Sequence, residues 1–169
     1  MSICIETLSK TCQAKRLSEA DLPAAYTLCS ENPLYYFHMN SAPSIESLRK
    51  DLTALPPGKG PQDKYFIGLY GSGGLLAIVD LIDGYPEPTT AFLGFFMVEH
   101  RVQGQGLGSR LIEELLSSLR AAGFSKVRLA FVKGNPQSEA FWKKNGFLPT
   151  STEVSKEEGY TAVVMERLL

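Results

Sequence analysis

Three glycines, Gly104, Gly106 and Gly108, alternate with larger residues and run straight into a leucine-rich segment beginning at Leu107. Glycines between a strand and a helix bare main-chain N–H groups that the first helical turn cannot pair internally. With the helix dipole, such groups favour an anion, above all a phosphate or pyrophosphate. A dinucleotide fingerprint would read Gly104-x-Gly106-x-x-Ser109, which lacks the third glycine and starts well past the end of the preceding apolar run. A P-loop needs GxxxxGK[ST], and Pro57-Gly58-Lys59-Gly60 has neither the spacing nor the hydroxyl. A glycine turn used only for close packing stays open at this point.

A second group of residues follows. Asn135 precedes Pro136 and a short helical run that closes near Gly146-Phe147, with Trp142 inside it. Asn135 reads as a helix cap, and its side chain is equally suited to a ligand. Groups able to take a proton stand nearby in the chain: Glu99 and His100 after the apolar run, Glu31 and His38 earlier. Each also reads as an ordinary surface residue. Tyr35, Tyr36, Phe37 and Tyr85 could line a pocket for a small amine or simply fill core space. Lys126, Arg128, Lys133, Lys143 and Lys144 form a basic run that reads as a solvated face. Cys4, Cys12 and Cys29 lack any CxxC pairing and read as small apolar residues or free thiols, so no metal site is expected.

The elements holding these residues follow from periodicity. Ser18 to Asp21 resembles a capping box opening a helix to about Cys29. Residues 30–43 read as a loop or broken helix. Ser44 caps a helix carrying Ile45, Leu48, Leu52 and Leu55. Two apolar runs around Gly71 to Gly74 read as a hairpin, and Ala91 to Val98 as a further strand. Leu107, Leu111, Leu115 and Leu119, with Ile112 and Leu116, share one helical face that Gly123 ends. Lys126 to Val132 is a strand, Pro136 to Lys144 a helix, and 147–168 a closing hairpin. The order predicts an α/β (α+β) fold: about six or seven strands in a mixed, mostly antiparallel sheet, flanked by about four helices.

Composition sets the limits. With 44% apolar and 21% charged residues over 169 positions, a single domain spanning 1–169 with a real core is expected. Lys plus Arg number 17 against 18 Asp plus Glu, so no overall field draws nucleic acid. No run reaches the ~18 apolar residues of a membrane helix. The start lacks the basic-then-apolar pattern of a signal peptide. A cytoplasmic protein is expected.

The glycine segment resembles motif A of the GCN5-related N-acetyltransferase (GNAT) superfamily, Q/R-x-x-G-x-G/A. Arg101 to Gly106 and Gln103 to Gly108 both fit the bare pattern. The second fits better, placing Gln103 at the Q/R position and Val98 at the end of the strand. Asn135 to Phe147 resembles the family's downstream motif, and Lys15 to Leu28 its first strand and helix, so the likeness covers about residues 12–168.

The resemblance implies acetyl-CoA as cosubstrate, its pyrophosphate held from Gly104 through Gln105, Gly106, Leu107 and Gly108 to Ser109. The pantetheine arm would lie beside Phe96, Met97 and Val98 like an added strand. The Val98 N–H would face the thioester oxygen. Asn135 and Ser138 would reach the cofactor. In the family a tyrosine commonly follows the position of Phe141 and protonates the departing thiolate; here Trp142 stands there. An indole N–H donates hydrogen bonds but releases no proton near neutral pH. General acid catalysis is worth ~10²–10⁴-fold, and a thiol of pKa ~8.5 leaves tolerably without it. The implied activity is direct acetyl transfer to a primary amine of a small molecule. A peptide amine, or an acyl-CoA-binding module without catalysis, are the alternatives. No nucleic acid or membrane partner is implied, and a homodimer is compatible.

Overall fold

The computed structural model describes residues 1–169. Its elements run β1 (Gln13–Arg16), α1 (Leu22–Ser30), α2 (Pro33–His38), α3 (Ile45–Asp51), β2 (Lys64–Gly71), β3 (Gly74–Ile82), β4 (Thr90–Val98), α4 (Leu107–Ala121), β5 (Lys126–Val132), α5 (Pro136–Lys144), β6 (Leu148–Ser155) and β7 (Thr161–Leu168). The seven strands form one sheet in the order β1-β2-β3-β4-β5-β7-β6. Every neighbouring pair is antiparallel except β4 and β5, which the α4 crossover makes parallel. The mixed, mostly antiparallel sheet is therefore as expected. The additional helix is α2, in the stretch read as a loop or broken helix.

Local signals worked where the chain closes its own bonds. Ser18 and Asp21 make the reciprocal capping box, although a 3-10 turn precedes α1. Ser44 accepts from the Ser47 N–H and caps α3. That helix stops at Asp51, earlier than the spacing of its leucines suggests. Leu55 precedes Pro56 and Pro57, and a residue before proline is pushed out of helical backbone, so it stands outside α3.

Two cores sit on opposite faces of the sheet. On one, Leu111, Ile112, Leu115, Leu116 and Leu119 of α4 pack with Trp142 and Phe147 over the odd-numbered positions of β5. On the other, Leu22, Ala25, Leu28 and Leu48 of α1 and α3 cover Phe66, Ile78 and Met97. Cys12 and Cys29 are buried and Cys4 is exposed, all as free thiols.

β4 changes face partway along. Its pairing with β3 slips between Leu93, opposite Leu81, and Phe95, opposite Asp80, leaving Gly94 as the extra residue of a bulge. Leu93 consequently packs in the α4 core and Phe95 in the α1 core, although they are two positions apart. A Cβ at Gly94 would lie 2.9 Å from Asp80 Oδ2, so any larger residue would have to displace the carboxylate from its place against Lys64. β4 and β5 stay paired from Thr90–Lys126 only as far as Leu93–Leu129. Beyond the bulge the two parallel strands part and open a V in the middle of the sheet.

Under the bulge lies a buried ion pair. Lys64 Nζ is 2.8 Å from the Asp80 carboxylate, with side chains only 4% and 14% exposed. Oδ2 accepts from the ammonium, and Oδ1, sealed from solvent, lies at the same 2.8 Å from it. Burial raises the Asp80 carboxyl to about 6, against the opposing pull of Lys64.

Candidate active site

The V holds a cavity of about 620 Å³, within the range of small-molecule sites. It passes between the strands, so its wall is built from both faces. Gly104, Gly106, Gly108, Ser109, Asn135 and Trp142 line the end under α4 and α5. Glu31, Asn32, Leu34 and Tyr35 line the other end, where α1 turns into α2.

At the first end, the main-chain N–H groups of six consecutive residues, Gly104 through Ser109, donate to no protein atom. Three belong to the first turn of α4, where no intrahelical acceptor exists. Gly104 and Gly106 have φ of +75° and +82°, the left-handed region that favours glycine. This curls the amides into a concave nest at the positive end of a helix dipole. Gly108 does something different. It is helical, and a Cβ there would lie 3.3 Å from Phe141 and 3.6 Å from Val98. Its bareness lets the helix start sit tightly against β4 and α5. The three glycines, alike in sequence, thus divide into two that shape the nest and one that seats it.

The end of β4 supplies the second feature. Glu99 N–H donates to Leu76 O at 2.8 Å across β3. Strand alternation then turns the N–H and C=O of Val98, and of Phe96 two residues earlier, toward the V. There β5 has already moved away. The backbone groups of Met97 face β3, opposite Ile78, and its side chain packs in the α1 core. Met97 therefore offers the cavity no free main-chain pair.

Gln103 lies at the cavity, but its amide nitrogen donates to Val98 O at 2.7 Å and to Asn32 Oδ1 at 2.6 Å. Both amide hydrogens are spent inside the protein, so the side chain has no donor left for a phosphate. Asn135 is 4% exposed, and its side-chain oxygen accepts from Ser138 N–H at 3.1 Å, capping α5. Both residues line the cavity. Asn145, unremarked in the sequence, donates to Ser109 Oγ at 3.2 Å and to Phe141 O at 2.8 Å, tying the end of α5 to the start of α4.

Trp142 sits where Phe96, Phe141 and Phe147 converge, with ring centroids 4.9 to 6.0 Å away. Its indole N–H bonds to no protein atom and is not among the side-chain atoms sealed from solvent. The ring is thus both core and cavity wall. Replacing Trp142 with Phe is expected to keep thiol release within about fivefold of wild type, because no proton transfer is lost and only part of the wall. A stopped assay of free thiol checks this; loss beyond about 100-fold, the scale of a missing general acid, would contradict it.

The remaining predicted residues divide by position. Glu31 and His100 reach the cavity. Glu99 pairs with Arg101 at 2.8 Å and faces a separate surface recess. His38 packs edge-on to the exposed Phe37, away from the cavity. Tyr35 lines the cavity and packs edge-on to Phe95 at 5.6 Å. Burial raises its hydroxyl well above the ordinary range, so it is a neutral donor at neutral pH. Tyr36 points into the α1 core, and Tyr85 packs edge-on to Phe92 instead. The Gln105 side chain turns back to Arg101 O, and Leu107 packs against the α4 core. In the basic run, Lys126, Arg128, Lys133 and Lys143 all pair with glutamates. Lys144 has no such partner and lines the cavity.

Several known proteins resemble this chain in sequence or in fold. The chain is 33% identical over 81 residues to the mycothiol acetyltransferase of Beutenbergia cavernae, a stretch that is 48% of this chain and 27% of that protein. The chain thus spans about a quarter of the curated relative it matches. Among solved structures, an acetyltransferase from Thermus thermophilus superposes over 100% of both chains with a TM-score of 0.75 at 22% identity. The PaiA N-acetyltransferase of Thermoplasma acidophilum, solved with coenzyme A, gives 0.66 at 18% identity over 93% of this chain and 98% of that one. At such identities the likeness concerns the fold. The sequence pattern defining the acetyltransferase (GNAT) family matches residues 25–147, which hold the nest, the open edge of β4 and all of α5. The chain belongs to the GNAT acetyltransferase family.

Proposed function

We propose that the chain transfers the acetyl group of acetyl-CoA to a small primary amine, by direct attack with both substrates bound in the V. The observation that carries this reading is the nest of six unpartnered amides, Gly104 to Ser109, beside an unpaired strand edge at Phe96 and Val98. An anion nest and a strand edge together match a ligand that is pyrophosphate at one end and amide-rich along its arm. A fold neighbour holding coenzyme A supports the same reading.

In the reaction the amine nitrogen attacks the thioester carbon and the C–S bond breaks. The amide product and CoA thiolate form, and the ammonium proton goes to solvent or a neighbouring base. The Val98 N–H faces the carbonyl oxygen as it gains charge. Glu31 and His100 are the titratable groups at the cavity able to take the amine proton. Trp142 closes the wall without exchanging a proton. No cysteine lines the cavity, so no acetyl-enzyme enters the scheme. The acceptor end, walled by Tyr35 and Leu34 with Glu31 beside them, suits a small cationic amine carrying an apolar body.

Titration calorimetry with acetyl-CoA, joined to a thiol-release assay over small amines and short peptides, tests the reading. Micromolar binding and release with a small amine is the expected result. Binding without release across the panel points to an acyl-CoA-binding module. Release with peptides only overturns the small-amine assignment, and absence of binding overturns the whole.

A further inference from the structure

Asn32 stands before Pro33 at the start of α2, where an asparagine side chain ordinarily caps the first turn. It makes no capping bond. Its Nδ2 donates to Leu28 O at 2.9 Å and, at 3.4 Å, reaches Val98 O. Its Oδ1 accepts from Gln103 Nε2, the atom that also donates to Val98 O. The orientation of both amides is fixed by chemistry. A backbone carbonyl only accepts, so the atoms facing Leu28 O and Val98 O have to be nitrogens. α2 has given up its natural cap for bonds to residues 66 and 71 positions away. A local rule broken in favour of a distant contact marks a place where tertiary demands win.

The contact joins two parts that have to keep register. Asn32 belongs to the α1–α2 wall at one end of the cavity, and Val98 ends the strand at the other side of it. The peptide unit from Val98 to Glu99 is then held at both ends, its oxygen by Gln103 and Asn32 and its N–H by Leu76 O. We infer that Asn32 is a positioning residue: through Gln103 it fixes the acceptor-side wall against the reacting end of β4. The hydrogen-bonded lock stands on the geometry alone; its kinetic consequence rests on the acetyl transfer proposed above.

Two measurements test it. In the free protein, hydrogen exchange of the Met39 and Asn40 amides, which bond back to Tyr36 O and Phe37 O at the end of α2, is expected to quicken about tenfold in Asn32→Ala and equally in Gln103→Ala. The double variant should be no faster than either, since both remove one lock. Wild-type exchange of these amides in Gln103→Ala, or additive acceleration in the double variant, overturns the lock. In turnover, using the amine that releases most thiol, Asn32→Ala and the isosteric Gln103→Glu should lower kcat about 30-fold with KM for acetyl-CoA within threefold. A rise in KM at constant kcat overturns the positioning role. If no amine releases thiol from wild type, the proposed function fails while the exchange measurement still decides the lock.

Discussion

Gly106→Asp is expected to weaken acetyl-CoA binding at least ~100-fold while leaving the fold intact, because two like charges ~4 Å apart near a protein surface repel by up to about 4 kcal/mol. The substitution separates ligand effects from folding effects. Gly106 is the N-cap of α4 at φ +82°, and aspartate tolerates left-handed backbone better than other side chains do. A Cβ there meets nothing within 4 Å, so the protein has room for it. Aspartate is also favoured electrostatically at a helix N-terminus. The carboxylate instead stands where the pyrophosphate is proposed to sit. Gly106→Ala, with the strain but not the charge, should cost at most roughly tenfold, the share of the ~1–2 kcal/mol left-handed penalty that the free loop relieves by relaxing. Calorimetry of both variants checks the pair, with circular dichroism confirming the fold. Equal affinity in Gly106→Asp and Gly106→Ala would mean that no anion occupies the nest.

The second large effect is on stability. Lys64→Met leaves the Asp80 carboxylate buried with no compensating charge, at a cost of about 3–5 kcal/mol. For a chain of this length that lowers Tm by roughly 10 °C. The penalty is steep because Lys64 is the one cation against the group and Oδ1, sealed from solvent, has no other partner. The pH dependence has a definite sign. The folded carboxyl is raised from 3.8 to about 6. The stability this group contributes is therefore fully present below 3.8 and lost as pH rises through 6. In Lys64→Met the carboxyl rises further, so the deficit should be largest at pH 7 and shrink by pH 5. Urea melts at the two pH values measure it. Lys64→Met with Asp80→Leu should recover most of the loss, since a buried pair replaced by apolar groups is often neutral. A deficit that is the same at both pH values would point to lost packing of the lysine stem instead of an unpaired charge. Because Asp80 Oδ2 also bears on Gly94, the pair sits directly beneath the bulge from which the V opens.

How much of this was legible beforehand varies by residue. Elements whose bonds close locally were readable: the Ser18–Asp21 box, the Ser44 cap, the leucine face of α4 and the stop at Gly123. Helical and strand periods come from backbone geometry, and burial of one face enforces them over many residues. The glycine loop was also readable, because bare amides ahead of a helix require glycine in the residue string itself. The loop's division of labour was not. Positive φ at Gly104 and Gly106, and contact with Phe141 at Gly108, depend on what stands opposite each one.

By itself, the sequence determined the order of elements, a mixed, mostly antiparallel sheet and a glycine-rich loop of bare amides before α4. Each of these is dictated by neighbours within a few residues along the chain. Only the tertiary structure decided where the V opens, since the bulge at Gly94 is set by the register of β4 on β3, with Asp80 packed against the glycine. Tertiary packing also sorted Glu31 and His100 into the cavity, and Glu99, His38, Tyr36 and Tyr85 away from it. The same holds for Asn32, whose place before Pro33 reads as a plain helix cap. Its amide follows the strongest acceptors and donors within reach, and those belong to residues brought near by the fold. A side chain's partners are set by distance in space, and only the closest of them are close in sequence.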